Sequence, residues 1–377
     1  MIPFNKPYYS KSLTGKIEEV ITSGKTSGGG SYTKKCQEWL ETKYSLEKVL
    51  LTTSCTDALE LSSLLMDIQP GDEVILPSYT FVSTANPFLL RGAKLVFADS
   101  ASDSPNLDLD QLESLINEKT RAIVIVHYAS ICCDMDRLKL IAAHHGLFLV
   151  EDAAQCIDAY YKDQPLGSIG DIGAFSFHDT KNIVCGEGGC IMINNKKLID
   201  RAEILWEKGT NRAAFFRGEV DKYGWIDVGS SFLASEFTAA ILYSQFEEID
   251  KIQVRRHELW NKYFKGLELL ESLGVQLPNI PDDSSHNAHI FYLVCRDADE
   301  RNDLISFLKT YNISSVFHYL SLHSSLYFED KHDGRELPNA DRYSGCLLRL
   351  PLYYELELKQ VDFIIKAIRD FYENRHK

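Results

Sequence analysis

The stretch Phe175-Ser-Phe-His-Asp-Thr-Lys181-Asn182 is followed by the bend Gly186-Glu-Gly-Gly189 and the apolar run Cys190-Ile-Met-Ile-Asn194. Phe175 and Phe177 read as part of a buried strand, and Lys181 lies just past its end. Lysine is rarely set in apolar sequence unless it is paired or chemically employed. A desolvated lysine has a lowered pKa and can form a Schiff base with an aldehyde. The ordinary alternative is a strand-end lysine that snorkels to water. The elements on either side of the stretch decide between the two.

Upstream, strands and helices alternate. Val49-Leu-Leu-Thr-Thr53 reads as a strand. Ser54-Cys-Thr-Asp57 reads as a helix N-terminus, with Ala58, Leu61, Leu64 and Leu65 at helical spacing. Gln69-Pro-Gly-Asp72 is a turn before a strand at 73–76. Residues 77–81 open another helix that ends near 91–92. A strand follows at 94–98, and then a helix around 110–117. The strand at 121–127 is nearly unbroken Ile and Val, as expected of a parallel strand covered on both faces. A helix at 136–145 leads to a strand at 147–150 that runs into Glu151-Asp152. This alternation implies right-handed crossovers and a mostly parallel sheet with helices on its faces, an α/β fold.

Downstream the pattern changes. A helix at 196–208 precedes a polar, aromatic loop at 209–231, long enough to imply a functional role. A helical region at 233–270 links to a strand at 290–295, a helix at 299–311, a strand at 315–319 and a final helix at 357–373. This divides the chain into an N-terminal arm with a large unit, 1–245, and a small unit, 246–377. Near the start, a helix at about 10–23 precedes Ser27-Gly-Gly-Gly-Ser31, which reads as a mobile loop. No G-x-x-x-x-G-K-[ST] accompanies it, so it is not a phosphate loop of that type.

The 377 residues carry a formal net charge of -14. That argues against nucleic acid or an anionic membrane as partner, since both require clustered positive potential. The nine scattered cysteines read as reduced, packed thiols of a cytoplasmic protein. None forms a C-x-x-C pair, so no metal site is expected. The first residues have neither the basic nor the apolar segment of a signal peptide. No apolar run reaches the roughly 20 residues of a membrane span.

In open α/β sheets, ligands bind beyond the carboxyl ends of the strands. Ser54-Cys-Thr56 offers hydroxyls and backbone N–H groups to a phosphate, unless it is only a helix cap. Phe81 offers a face for a flat ring, unless it packs in the core. Asp152 ends a buried strand and needs a partner, for which a protonated pyridine nitrogen is suited. Gln155 follows within reach of the same ring's hydroxyl. Ser176 is a second phosphate candidate, Lys181 the aldehyde's partner, and His127 a strand-end neighbour. Together these residues form the set that pyridoxal 5'-phosphate requires.

Five stretches carry a resemblance. They are Ser54-Cys-Thr56, Gln69-Pro-Gly-Asp-Glu-Val-Ile-Leu-Pro-Ser-Tyr-Thr-Phe-Val-Ser-Thr-Ala-Asn86, Val150-Glu-Asp-Ala-Ala-Gln155, Gly173-Ala-Phe-Ser-Phe-His-Asp-Thr-Lys181-Asn182 and Gly186-Glu-Gly-Gly189. The chain resembles the DegT/StrS-type sugar aminotransferases, fold-type-I pyridoxal-phosphate enzymes. Lys-Gly-Thr-Asn-Arg-Ala-Ala-Phe-Phe-Arg-Gly (208–218), Asp-Lys-Tyr (221–223), Gly-Ser-Ser (229–231) and Val-Phe-His-Tyr (316–319) look most like the dTDP-4-amino-4,6-dideoxygalactose transaminases and their gluco-forming relatives.

The resemblance implies a large, mostly parallel, mixed seven-stranded sheet domain and a smaller C-terminal α+β domain. It implies that Lys181 is catalytic and holds the cofactor. Asp152 would pair with the ring nitrogen, Gln155 with the ring hydroxyl, and Phe81 would stack on the ring. Ser54, Cys55, Thr56 and Ser176 would hold the phosphate. The family commonly has Gly-x-Asn-Tyr-Arg where this chain has Gly229-Ser-Ser231-Phe-Leu233. Ser231 would therefore stand in for an asparagine that reaches the phosphate of a neighbouring subunit, which implies a homodimer. Arg212, His318 and Tyr319 are the candidate substrate contacts. The implied substrates are L-glutamate and a 4-keto-6-deoxy sugar on dTDP, for O-antigen or similar cell-surface polysaccharide. A C3-aminotransferase and a non-catalytic regulatory protein on the same fold are the alternatives. Dehydratase relatives carry histidine in place of Lys181. A nicotinamide oxidoreductase lacks its G-x-G-x-x-G here.

Overall fold

The computed structural model describes residues 1–375. Its strands are β1 (Val49–Thr52), β2 (Glu73–Pro77), β3 (Lys94–Ala98), β4 (Thr120–Val126), β5 (Phe148–Asp152), β6 (Tyr160–Tyr161), β7 (Gln164–Pro165), β8 (Ile172–Ser176), β9 (Gly189–Ile193), β10 (Ser284–Ser285), β11 (Phe291–Val294), β12 (Val316–Phe317) and β13 (Leu347–Leu350). Seven of them form one sheet in the order β1-β9-β8-β5-β4-β2-β3. From β8 to β3 every neighbouring pair is parallel. β9 alone is reversed, antiparallel to both β8 and β1. The expected mixed seven-stranded sheet is what the chain builds.

Strand alternation sorts the side chains into two cores. Leu51, Ile75, Ile125, Leu149 and Phe175 point to one face, against α1 (Leu13–Ser23), α2 (Ser31–Tyr44), α5 (Met135–His145) and α8 (Glu236–Phe246). Leu50, Val74, Val124, Val150 and Ala174 point to the other, against α3 (Cys55–Leu65), α4 (Asn86–Leu90) and α6 (Ile199–Trp206). Burial on both faces is why these strands read as continuous apolar runs.

The C-terminal part forms a second, antiparallel sheet in the order β11-β13-β12. Phe291, Leu293, Leu348 and Leu350 pack beneath α9 (Ile249–Leu267), α10 (Ala298–Thr310) and α12 (Leu358–Arg375). On the opposite face Tyr292, Val294 and Leu347 join the core of the large sheet. α9 contributes Ile249 and Ile252 to the large core and Leu259, Tyr263 and Leu267 to the small one.

Several elements differ from the sequence reading. Residues 78–80 form a bend, with Thr80 N donating to Ser78 O at 3.1 Å, and a 3-10 turn, Val82–Thr84, comes before α4. Only a 3-10 turn, Leu112–Leu115, forms where a helix was expected at 110–117. α8 and α9 are separate helices. The 209–231 loop contains α7 (Arg212–Phe216) and closes on itself through bridges from Thr210 to Trp225 and from Glu207 to Ser231. α11 (Pro338–Cys346) and β13 had no counterpart in the sequence reading.

The triple glycine is not a mobile loop. The buried Glu236 carboxylate accepts N–H bonds from Gly30 at 3.0 Å, Tyr32 at 2.8 Å and Thr33 at 3.0 Å, and a bond from the Thr33 hydroxyl. An anion at the N-terminus of α2 satisfies donors that a helix leaves free. All nine cysteines are free, and eight of them are buried.

Candidate active site

Asp152 closes β5, level with Val126 of β4 and Ala174 of β8. Its side chain is 6% exposed. Oδ2 accepts from the Thr84 hydroxyl at 2.7 Å and Oδ1 from the Ala154 N–H at 3.2 Å. Burial pushes its pKa up, partly offset by those bonds and by the charge of Lys181. Thr84 is itself held by Thr80 at 2.8 Å.

Lys181 sits in a turn beyond β8, its N–H donating to His178 O at 2.8 Å. Burial lowers its pKa, against the opposing pull of Cys55 and Asp152. The turn is anchored on both sides. Asn5 Nδ2 donates to Asp179 O at 2.8 Å, and Tyr9 OH to Asp179 Oδ1 at 3.0 Å. Asn182 Nδ2 donates to Asn287 O at 2.7 Å and to Gln253 Oε1 at 3.0 Å. The N-terminal arm and the C-terminal part thus hold the lysine between them.

Ser54 caps α3, its Oγ accepting from Asp57 N at 3.0 Å. The N–H groups of Cys55 and Thr56 donate to no backbone acceptor among the described residues. Gly189 of β9 lies against this helix start, where a Cβ would stand 2.5 Å from the Ser54 carbonyl carbon. The bend at 186–189 therefore serves the close approach of β9 to α3. Ser176 ends β8 and is buried, its Oγ near the His178 N–H at 3.4 Å. Thr56 Oγ1 donates to Ser83 Oγ at 2.8 Å, which brings in a hydroxyl the sequence reading did not single out.

Gln155 Oε1 accepts from Ala129 N at 2.6 Å, and its Nε2 donates to Tyr319 OH at 3.2 Å. Tyr319 lies 6.0 Å from the Phe81 ring, which is 54% exposed and so not part of the core. His318 Nδ1 pairs with Tyr128 OH at 2.9 Å, and Tyr79 OH donates to His318 O. Burial, then the charges of Arg349 and Lys181, hold His318 well below its usual pKa. One wall of the site is thus a tyrosine cluster, Tyr79, Tyr128 and Tyr319, reached from both sheets.

Three candidates are held by partners of their own. His127 is fully buried, with Nε2 on Glu151 Oε2 at 2.9 Å and Nδ1 accepting from Cys133 N at 3.1 Å. Glu151 also takes the N–H groups of Gly167, Ile169 and Gly170. His127 thus belongs to a loop-holding network, and its charge also acts on Asp152. Arg212 pairs with Glu207 at 3.2 Å and packs over Phe216. Ser231 is exposed and bridges to Glu207. Within one chain neither Arg212 nor Ser231 touches the Lys181 group.

Sequence reading missed Ser83, Thr84 and Tyr128. Ser83 and Thr84 lie two and three residues past Phe81, so a polar turn after the strand was a usable signal.

The residues present fit pyridoxal phosphate. A cup of free N–H groups and hydroxyls suits its phosphate. A buried carboxylate without a cationic partner in hydrogen-bond contact suits its ring nitrogen, and a desolvated amine its aldehyde. The family profile for DegT/DnrJ/EryC1/StrS aminotransferases matches residues 7–369. The chain belongs to that family. Among curated proteins, it is 33% identical to the spore coat polysaccharide biosynthesis protein SpsC of Bacillus subtilis, over 98% of this chain and 96% of SpsC. Among solved structures, the sugar aminotransferase CalS13 of Micromonospora echinospora superposes with a TM-score of 0.89 at 26% identity, covering 98% of this chain and 100% of that one. Spr1654 of Streptococcus pneumoniae in its PMP form superposes at 0.91 with 25% identity, covering 99% and 100%. Its PLP form superposes at 0.89. This DegT/DnrJ/EryC1/StrS member is a pyridoxal-phosphate-dependent sugar aminotransferase. No helix among the described residues is long and apolar enough to cross a membrane.

Proposed function

We propose that the chain moves the amino group of L-glutamate to C4 of dTDP-4-keto-6-deoxy-D-glucose. The product is a dTDP-4-amino-4,6-dideoxyhexose of the galacto or gluco series, for O-antigen or another cell-surface polysaccharide. The observation that carries the reading is that buried Asp152, at the end of β5, and desolvated Lys181, in the turn beyond the neighbouring β8, act on each other's charge beside His318 and Tyr319.

When bound, pyridoxal phosphate supplies an electron sink and carries the amine between the two substrates. Asp152, oriented by Thr84, would hold the ring nitrogen. Gln155 would serve the ring hydroxyl, and Phe81 would cover the ring. Ser54, Cys55, Thr56 and Ser176 would hold the phosphate. Lys181 moves a proton at the substrate carbon, and its lowered pKa favours the free amine that this requires. His318 and Tyr319 orient the sugar, and the face of C4 that they present to Lys181 sets the epimer.

Arg212 is a substrate contact in this reading, and Ser231 acts across a subunit interface, so the working unit is a homodimer. Supporting it, Phe216, Tyr223 and Trp225 are all exposed on the same loop, as on a face that a second copy covers. The protein works in the cytoplasm, and its large and small units divide at 245/246, at the C-terminal end of α8. The test is incubation with dTDP-4-keto-6-deoxyglucose and L-glutamate, reading the product's C4 configuration by NMR. A 4-amino sugar is expected. If no amino sugar forms, the substrate assignment is wrong.

A further inference from the structure

Gln155 and Lys181 reach the site from separate loops, one beyond β5 and the other beyond β8. The hydroxyl and the aldehyde of pyridoxal phosphate sit on adjacent ring carbons. The two side chains that serve them must therefore keep a fixed spacing. Asn287, in the linker between β10 and β11, is buried and touches both loops. Its Nδ2 donates to Gln155 O at 2.8 Å and to Ile157 O at 2.7 Å. Its backbone carbonyl accepts from Nδ2 of Asn182, the residue after Lys181, at 2.7 Å. Its backbone N–H donates to Ser130 Oγ at 3.0 Å, and the neighbouring Ala129 N–H donates to Gln155 Oε1 at 2.6 Å. Gln155 is thus gripped at its main chain and at its side chain by one connected set of bonds.

The backbone around Asn287 is strained. Ala129, Ser130 and Ala288 are all buried, with φ of 58°, 63° and 52°, the left-handed region that side chains disfavour. Asn287 Oδ1 is buried with no hydrogen-bond partner among the described residues. Turning the amide over would set that oxygen against the carbonyls of Gln155 and Ile157, so the orientation is fixed. Strain gathered on a buried polar group points to geometry kept for the chemistry. Gln253 of α9 makes a second bridge, from Asn182 at 3.0 Å to Ile157 O at 3.2 Å. That bridge ends at Ile157, whereas Asn287 bonds Gln155 itself.

We infer that Asn287 is a positioning residue for amino transfer, setting the distance between Gln155 and Lys181. This rests on the roles given to those two residues but not on the identity of the sugar. A displacement of about 1 Å between groups that address adjacent ring atoms is enough to slow a reaction by about 100-fold.

The test compares Asn287→Ala with wild type, both loaded with pyridoxal phosphate. The phosphate cup at 54–56 is untouched, so cofactor affinity should stay within a few-fold, which also proves that the variant is folded. The Gln155 Nε2–H competes with the titrating proton for the ring oxygen. Slackening it should raise the pH midpoint of the visible absorption band by about one unit. The single-turnover rate with L-glutamate should fall by about 10- to 100-fold, with little change in the half-saturating glutamate concentration. Asn182→Ala cuts the same link at its lysine end and leaves Asn287 on Gln155. It should slow the half-reaction to a similar degree and leave the midpoint in place. The double variant should be no slower than Asn287→Ala, because both cuts sever one link. An unmoved midpoint and an unchanged rate in Asn287→Ala overturn the assignment. So do losses in the two single variants that multiply in the double. If Asn287→Ala takes up no cofactor, Asn182→Ala decides, and a wild-type rate in that variant overturns the assignment. A wild type that shows the band but is inert towards dTDP-4-keto-6-deoxyglucose refutes only the substrate reading, because the band and the glutamate arm still decide the role of Asn287.

Discussion

Gly189→Ala perturbs the phosphate end of the site without touching a side chain that would contact the cofactor. The new methyl would stand 2.5 Å from the Ser54 carbonyl carbon and closer still to Cys55 N, nearly 1 Å inside the 3.4 Å of ordinary contact. β9 cannot retreat easily, because Gly189 pairs with Thr52 and Cys190 with Leu51 in the ladder to β1. The start of α3 must move instead, by roughly the same distance. Hydrogen bonds span only about 2.7–3.2 Å, so such a shift forfeits the Cys55 and Thr56 N–H bonds to a phosphate. At about 1.5–3 kcal/mol for each bond to a charged group, cofactor affinity should fall at least about 100-fold. The strain itself should cost about 1–3 kcal/mol of stability. Absorbance titration of the cofactor-free variant with pyridoxal phosphate measures the first, and urea unfolding the second. Gly15→Ala is the control, since a methyl there meets nothing within 4 Å. Cofactor affinity of Gly189→Ala within twofold of wild type would refute the packing argument.

Lys181→Ala should abolish transfer and leave borohydride nothing to fix, although the cofactor still binds in the cup. A borohydride-fixed cofactor in this variant would show that another amine does the work. Asp152→Asn tests the buried carboxylate through pH. Its folded pKa is raised by burial, so the acid form is favoured, and wild-type stability falls as pH rises from about 3.9 to the folded value. In urea unfolding of cofactor-free protein, the stability of the variant relative to wild type should therefore rise across that window and then level off. A difference that is flat with pH contradicts the burial argument. Glu236→Gln sets an amide N–H against one of the backbone donors of α2 and should lower stability by about 1–3 kcal/mol. An unchanged urea midpoint would mean that the cap contributes nothing.

The βα alternation was legible because parallel strands buried on both faces must be continuously apolar. Asp152 and Lys181 stood out because a charge at the end of such a run needs a chemical reason. The segment 78–80 is a bend rather than the expected helix start. Ser78, Tyr79 and Thr80 there carry no strong helix signal of their own, and Tyr79 packs against Tyr128, Tyr319 and Tyr343. The triple glycine looked mobile because the carboxylate that holds it, Glu236, lies some two hundred residues away. His127 looked available for the same reason, since Glu151 and the 167–170 turn that surround it are remote in sequence.

The Lys181 stretch, with Asp152 and the Ser54 helix start, therefore settled the fold class and the cofactor from sequence alone. Those features are local, each a strand end or helix start whose chemistry is written within a few residues. Only the tertiary structure decided which distant groups complete the site. Thr84 orients Asp152, Asn5 and Asn182 clamp the lysine turn, and Tyr79, Tyr128 and Tyr319 meet from both sheets. Thr84 and Asn182 look like ordinary loop residues in sequence. They acquire meaning only where packing sets them against Asp152 and Asn287.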